Sequence, residues 1–147
     1  DGKVIVARVE EQNPYIPGPC LKISVFMTVF NVHVNRIPHE GEVTGIEYYP
    51  GKFLAANKDE ATEANERNAV VIQMETGKLM AVVQVAGLVA RRIICGLQSE
   101  QTVSRGQRFG MICFGSRLDL YLPPDTELNV SRGQKTQAGT TILGYLK

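Results

Sequence analysis

The feature that most constrains this chain is a succession of short apolar runs, each closed by a turn-forming cluster. Residues 4–9 are rich in β-branched side chains, as a strand requires. In residues 21–29, Ile23, Val25, Met27 and Val29 fall on one face of a period-two pattern, and Ser24, Phe26 and Thr28 on the other. Residues 41–49 alternate Val43, Gly45 and Glu47 against Thr44, Ile46 and Tyr48. Residues 70–75 and 78–85 flank Thr76-Gly77, a hairpin signal. Further strands are predicted over residues 90–97, 109–114, 118–122, 126–130 and 140–146. Pro14, Pro17, Gly18 and Pro19 mark a loop. One stretch, residues 59–67, has helix formers and an acidic start, and predicts a short polar helix. Many short strands with frequent turns make an all-β barrel or sandwich, with one short helix.

Two turn units resemble each other: Ser104-Arg105-Gly106-Gln107 and Ser131-Arg132-Gly133-Gln134. They read as a weak internal repeat. The second also resembles the glycine-marked turn of barrel-sandwich hybrid domains such as lipoyl and biotinyl carriers, although a glycine at positive φ suits any such bend.

The length of 147 residues is enough for one domain with a core. Sixteen basic and 15 acidic side chains leave a net charge of +1, so there is no broad field for nucleic acid. No apolar run approaches the roughly 20 residues that span a bilayer, and no signal peptide is visible. Cys20, Cys95 and Cys113 are odd in number and form no C-x-x-C pair, which argues against a disulfide framework or a zinc site and for a reducing compartment. Each reads as a small buried hydrophobe. The start, Asp1-Gly2-Lys3, runs straight into apolar Val4 without a methionine, as in a piece of a longer protein whose membrane-anchoring region precedes it.

Catalytic motifs of the common classes are missing: no G-x-S-x-G elbow, no phosphate-binding or dinucleotide glycine pattern, no H-E-x-x-H. There are two histidines. His33 sits in the run Phe30 to Pro38 and reads on its own as a structural or surface histidine, and His39, between Pro38 and Glu40, suits a solvated turn.

Four segments carry a resemblance. They are residues 24–38 (SVFMTVFNVHVNRIP), 65–68 (NERN), 84–93 (QVAGLVARRI) and 105–119 (RGQRFGMICFGSRLD). In this order, with the Asp-Gly-Lys-Val start, the chain resembles the short-form pyruvoyl-dependent phosphatidylserine decarboxylases, a group that includes archaetidylserine decarboxylases. The resemblance implies self-cleavage between Gly115 and Ser116 into residues 1–115 and 116–147. Ser116 would attack the Gly115 carbonyl, and the resulting ester would break by elimination to leave a pyruvoyl group in place of Ser116. That chemistry needs a base for a poor nucleophile and donors for an oxyanion. It implies His33 as acid and base, with Asp1 as its partner in a triad-like unit. Some longer family members carry a second histidine three residues on, where this chain has Arg36. Whether His33 serves processing, decarboxylation or both therefore stays open, with water or Asp1 as the other candidates. The pyruvoyl ketone would take the substrate amine and act as an electron sink, and Arg36 or Arg117 would attract the lipid phosphate or carboxylate.

A phospholipid substrate implies a membrane surface as partner and the cytoplasmic face of the cell membrane as location. Phe53 and Leu54, near Lys52 and Lys58, are candidates to meet it. Oligomeric state stays open, a homodimer being compatible with the resemblance, as does the diacyl or ether nature of the lipid. Two rivals remain: a lipoyl-type carrier modified at Lys78, and a phosphocarrier using His33. The flanks of Lys78 do not match the first, and the second needs a nearby second histidine, for which only His39 is available.

Overall fold

The computed structural model describes residues 2–27, 34–52, 64–87, 93–112, 116–137 and 141–147. Its strands are β1 (Gly2–Glu10), β2 (Cys20–Met27), β3 (Val34–Arg36), β4 (Gly41–Tyr49), β5 (Arg67–Gln73), β6 (Leu79–Val85), β7 (Ile93–Cys95), β8 (Thr102–Val103), β9 (Arg108–Ile112), β10 (Ser116–Leu122), β11 (Glu127–Leu128), β12 (Lys135–Thr136) and β13 (Gly144–Tyr145). The all-β expectation is borne out. Most of the predicted helix, residues 59–63, lies outside the described residues. It does not reach Arg67 as expected, because Arg67 opens β5 and Asn65 bridges to Lys52.

Eight strands form one antiparallel sheet in the order β12-β1-β2-β10-β6-β5-β4-β8. A three-stranded sheet, β3-β9-β7, packs against it, and β11 pairs with β13. The central strands are buried on both faces, which is why they read as nearly continuous apolar runs. On the inner face Leu21, Ile23, Val25, Val70, Ile72, Met80, Val82, Leu120 and Leu122 pack with Ile37 and Phe109 from the small-sheet side. On the outer face Cys20, Ala69, Ala81, Val83, Val85 and Tyr121 pack under Ile16. The proline loop supplies that lid. Asn13 Oδ1 accepts hydrogen bonds from the backbone of Tyr15 (2.9 Å) and Ile16 (2.8 Å), folding the loop onto the sheet.

The two S-R-G-Q units are the same turn. In each, the serine N–H donates to the glutamine side chain, at 2.9 Å from Ser104 to Gln107 and 3.2 Å from Ser131 to Gln134. In each, the glycine has positive φ, 78° at Gly106 and 95° at Gly133. Each is also clasped by a distant backbone carbonyl: Gly106 N–H donates to Ile37 O, just after β3, and Gly133 N–H to Val4 O on β1, both at 2.7 Å. The predicted hairpin is present as well, with Gln73 opposite Leu79 and Met74 N–H donating to Lys78 O at 2.8 Å.

Candidate active site

Ser116 is the first residue of β10, and its side chain is fully buried. Alternation along β10 sends Ser116, Leu118, Leu120 and Leu122 to the inner face and Arg117, Asp119 and Tyr121 to the outer one. Across the ladder Ser116 faces Met27, the last residue of β2 that is described. Met27 packs with Ile112, Ile93 and Leu118 in a small apolar cluster at this end of the sheet. Ile112 closes β9, and β9 pairs with β3 through Met111 and Val34. At the start of the chain, Lys3 pairs with Phe26, and a Cβ on Gly2 would lie 3.1 Å from Met27 Cγ. Gly2, Val34 and Ser116 therefore gather around one cluster. They are the chain neighbours of Asp1, His33 and Gly115, and those three residues themselves lie outside the described residues, as do Cys113, Phe53, Leu54 and Lys58.

Beside this cluster a cavity of about 490 Å³ opens between the inner face of the large sheet and β3. Val25, Met27, Leu118, Leu120 and Leu122 form its floor, residues 34–39 one wall, and residues 141–146 the other. Arg36 lines it and donates from NH1 to Gly106 O at 2.9 Å. His39 and Arg105 sit at the same wall. Both are tied to Glu40: Arg105 NH2 donates to Glu40 Oε2 at 2.8 Å, and His39 Nε2 lies 3.3 Å from the same oxygen. The Arg105 hydrogen bond, foremost, holds the Glu40 carboxyl below its ordinary range. His39 occupies the expected turn, half-buried rather than fully solvated.

Arg117 faces away from this cavity. Its NH2 donates to Asp119 Oδ2 at 3.1 Å, and its Nε lies 2.8 Å from Asp119 Oδ1, too bent for a full hydrogen bond. Arg117 and Asp119 are 1% and 0% exposed, so the pair is dry. Around it burial pushes the Tyr121 hydroxyl well above its ordinary pKa, and raises that of Tyr15 as well. Lys78, the carrier candidate, donates to Asp125 at 3.0 Å and to the Lys147 carbonyl at 3.0 Å. Cys20 is a free buried thiol, raised in pKa by burial, and Cys95 is free and half-buried.

One group of polar residues was not singled out from the sequence. Gln84 Nε2 donates to Asn35 Oδ1 and to Ile94 O, both at 2.9 Å, and Asn68 Nδ2 donates to Gln84 Oε1 at 3.1 Å. All three side chains are buried. They lock β3 and β7 of the small sheet onto β5 and β6 of the large one, next to the Ser116 end. A glutamine in the interior of an apolar strand, residues 79–85, is the signal that marks such a network.

The profile of the phosphatidylserine decarboxylase family matches residues 8–144. The chain belongs to the phosphatidylserine decarboxylase family. Three of its relatives are proteins named phosphatidylserine decarboxylase proenzyme. That from Syntrophus aciditrophicus is 51% identical over 144 residues, covering 98% of this chain and 68% of the relative. The one from Desulfotalea psychrophila is 53% identical over 146 residues, covering 99% and 68%. The one from Burkholderia ambifaria is 52% identical over 147 residues, covering 100% and 68%. No solved structure matches the chain. For a member of the phosphatidylserine decarboxylase family, the gathered strand ends and the adjoining cavity are where a buried serine, an arginine and an apolar ligand can meet.

Proposed function

We propose that the protein cuts itself between Gly115 and Ser116 and then decarboxylates phosphatidylserine to phosphatidylethanolamine and CO2. The observation that carries this reading is the position of Ser116: dry, at the head of a central strand, and at one end of an apolar cavity lined by an arginine.

Ser116 Oγ attacks the Gly115 carbonyl carbon, and the amide becomes an ester with the Ser116 nitrogen released as an amine. His33, oriented by Asp1, takes the hydroxyl proton. Removal of the Ser116 α-proton expels the Gly115 carboxylate and leaves a dehydroalanine. Water hydrolyses that residue with loss of ammonia, leaving a pyruvoyl group at the head of residues 116–147. The surroundings suit such a group. Met27, Ile112 and Leu118 pack together at this end of the sheet, and the ladder to β2 on one side and β6 on the other holds the new terminus in place. The pyruvoyl group supplies a carbonyl that draws electrons from the substrate amine and so makes loss of CO2 feasible. Arg36 attracts the phosphate, and His33 delivers a proton to the carbon that loses CO2. Binding takes place at the cytoplasmic face of a membrane, where the phospholipid resides.

The test is a denaturing mass spectrum beside an assay for CO2 release. The protein should give two fragments, 1–115 and 116–147, the smaller blocked at its amino terminus. Ser116→Ala should stay intact and release no CO2; release by that variant would overturn the mechanism. His33→Ala should lose CO2 release, and full activity would remove His33 from the reaction.

A further inference from the structure

We infer that Gln84 is a positioning residue for self-cleavage: its side chain sets how far β3, which follows His33 in the chain, stands from β10, which Ser116 opens. The inference rests on the reading above, because it takes His33 and Ser116 as partners in the cut.

Gln84 lies on β6, opposite Leu118 of β10 on one side and Asn68 of β5 on the other. Its side chain leaves the inner face of the large sheet and meets the small sheet at the middle strand. There Gly110 of β9, paired with both Asn35 and Cys95, has no side chain to stand in the way. Nε2 gives one N–H to each flanking strand, to Asn35 Oδ1 on β3 and to Ile94 O on β7, both at 2.9 Å. Oε1 accepts from Asn68 Nδ2 at 3.1 Å. The amide is therefore held in one orientation, because turning it over would set its oxygen against two acceptors and its NH2 against a donor. Gln84 is 0% exposed and Asn35 2%, so bulk water does not compete for the bond between them.

This tie lies one short step from each partner in the cut. Ser116 is two residues from Leu118 along β10, about 7 Å at strand rise. His33 is two residues from Asn35, and covalent geometry keeps it within about 7 Å. Nearby the two sheets also meet through apolar side chains, Met27 and Leu118 of the large one against Ile112 and Ile93 of the small one. Apolar packing draws the sheets together without a preferred direction, whereas a hydrogen bond fixes a distance and an angle. Attack by a hydroxyl needs that precision, since a misplacement of about 1 Å costs about a hundredfold in rate.

The cut itself is timed in protein made by a purified translation system after a short pulse of labelled methionine. Met27, Met74, Met80 and Met111 all precede the cut, so the intact chain and the fragment ending at Gly115 both carry the label. Gln84→Leu removes the whole tie. Asn35→Leu breaks only its bond to β3, leaves Gln84 on Ile94 and Asn68, and decides the matter should Gln84→Leu not fold. Each should cut in a single phase of wild-type amplitude, slowed by about a hundredfold. The double variant should be no slower than the slower single one, because the two residues act through one hydrogen bond. A role in folding alone gives another curve, in which the folded part cuts at the wild-type rate and the amplitude falls. That curve in Asn35→Leu, a wild-type time course, or slowing that multiplies in the double variant overturns the inference and leaves self-cleavage standing. A wild-type chain that never cuts overturns the self-cleavage reading, and the inference with it.

Discussion

Arg117 and Asp119 show what a single residue can mean in two places. One position after the serine of the proposed cleavage site, an arginine suggests a ligand for the substrate's anions. In the structure the Arg117 guanidinium lies on the outer face of β10 against Asp119, with both groups dry. A charge so placed is tolerated only while its partner remains. Arg117→Met should therefore lower unfolding stability by about 3–5 kcal/mol, read from a denaturant titration. Arg117→Met with Asp119→Leu should recover most of that loss, since no uncompensated charge is left. If the single variant is as stable as the parent, the pair is not holding β10.

At the scale of elements, the small sheet depends on one glutamine. Gln84 on β6 is the only link described between Asn35 on β3, Ile94 on β7 and Asn68 on β5 that passes through a side chain. Gly110 on β9 makes room for it, because a Cβ there would come within 2.6 Å of Gln84 Nε2. Gln84→Leu keeps the volume but strands three buried polar groups, at about 1–3 kcal/mol each. Amides of Val34, Asn35 and Ile94 should then exchange with solvent faster than those of β2, measured by native-state hydrogen exchange. Uniform exchange across the two sheets would show that apolar packing alone fixes the small sheet. The repeated turns teach a related lesson. Ser104-Arg105-Gly106-Gln107 and its twin share a local solution because serine, glycine and glutamine at this spacing satisfy one another, so the likeness was visible before any fold was known.

For the whole molecule, the proposed cut after residue 115 would fall beside a strand that cannot leave. β10 sits between β2 and β6, paired over seven and five residues, and later segments return to β1 through β12. Withdrawing it would expose two unpaired sheet edges and open both cores. The processed protein should therefore migrate as one species on native gel filtration and separate into two fragments only in denaturant. Dissociation under native conditions would show that residues 116–147 are not an integral part of the sheet.

Period-two patterning and turn residues were enough, by themselves, to determine an all-β chain, most of its strands and the twin turns, because those signals act over a few residues. The family segments pointed to Ser116 and its companions in the same local way. Three short strands were not legible: β3, β8 and β12 are two or three residues long and exist only through pairing with distant partners. The tertiary structure alone decided that Ser116 faces inward and Arg117 outward, since a strand's two faces are equivalent until each is packed against something. It also decided that Gln84, Asn35 and Asn68 meet, and that a cavity with an aliphatic floor opens beside Ser116. These follow from which strands lie side by side, a long-range choice made by burial of both faces of the central sheet.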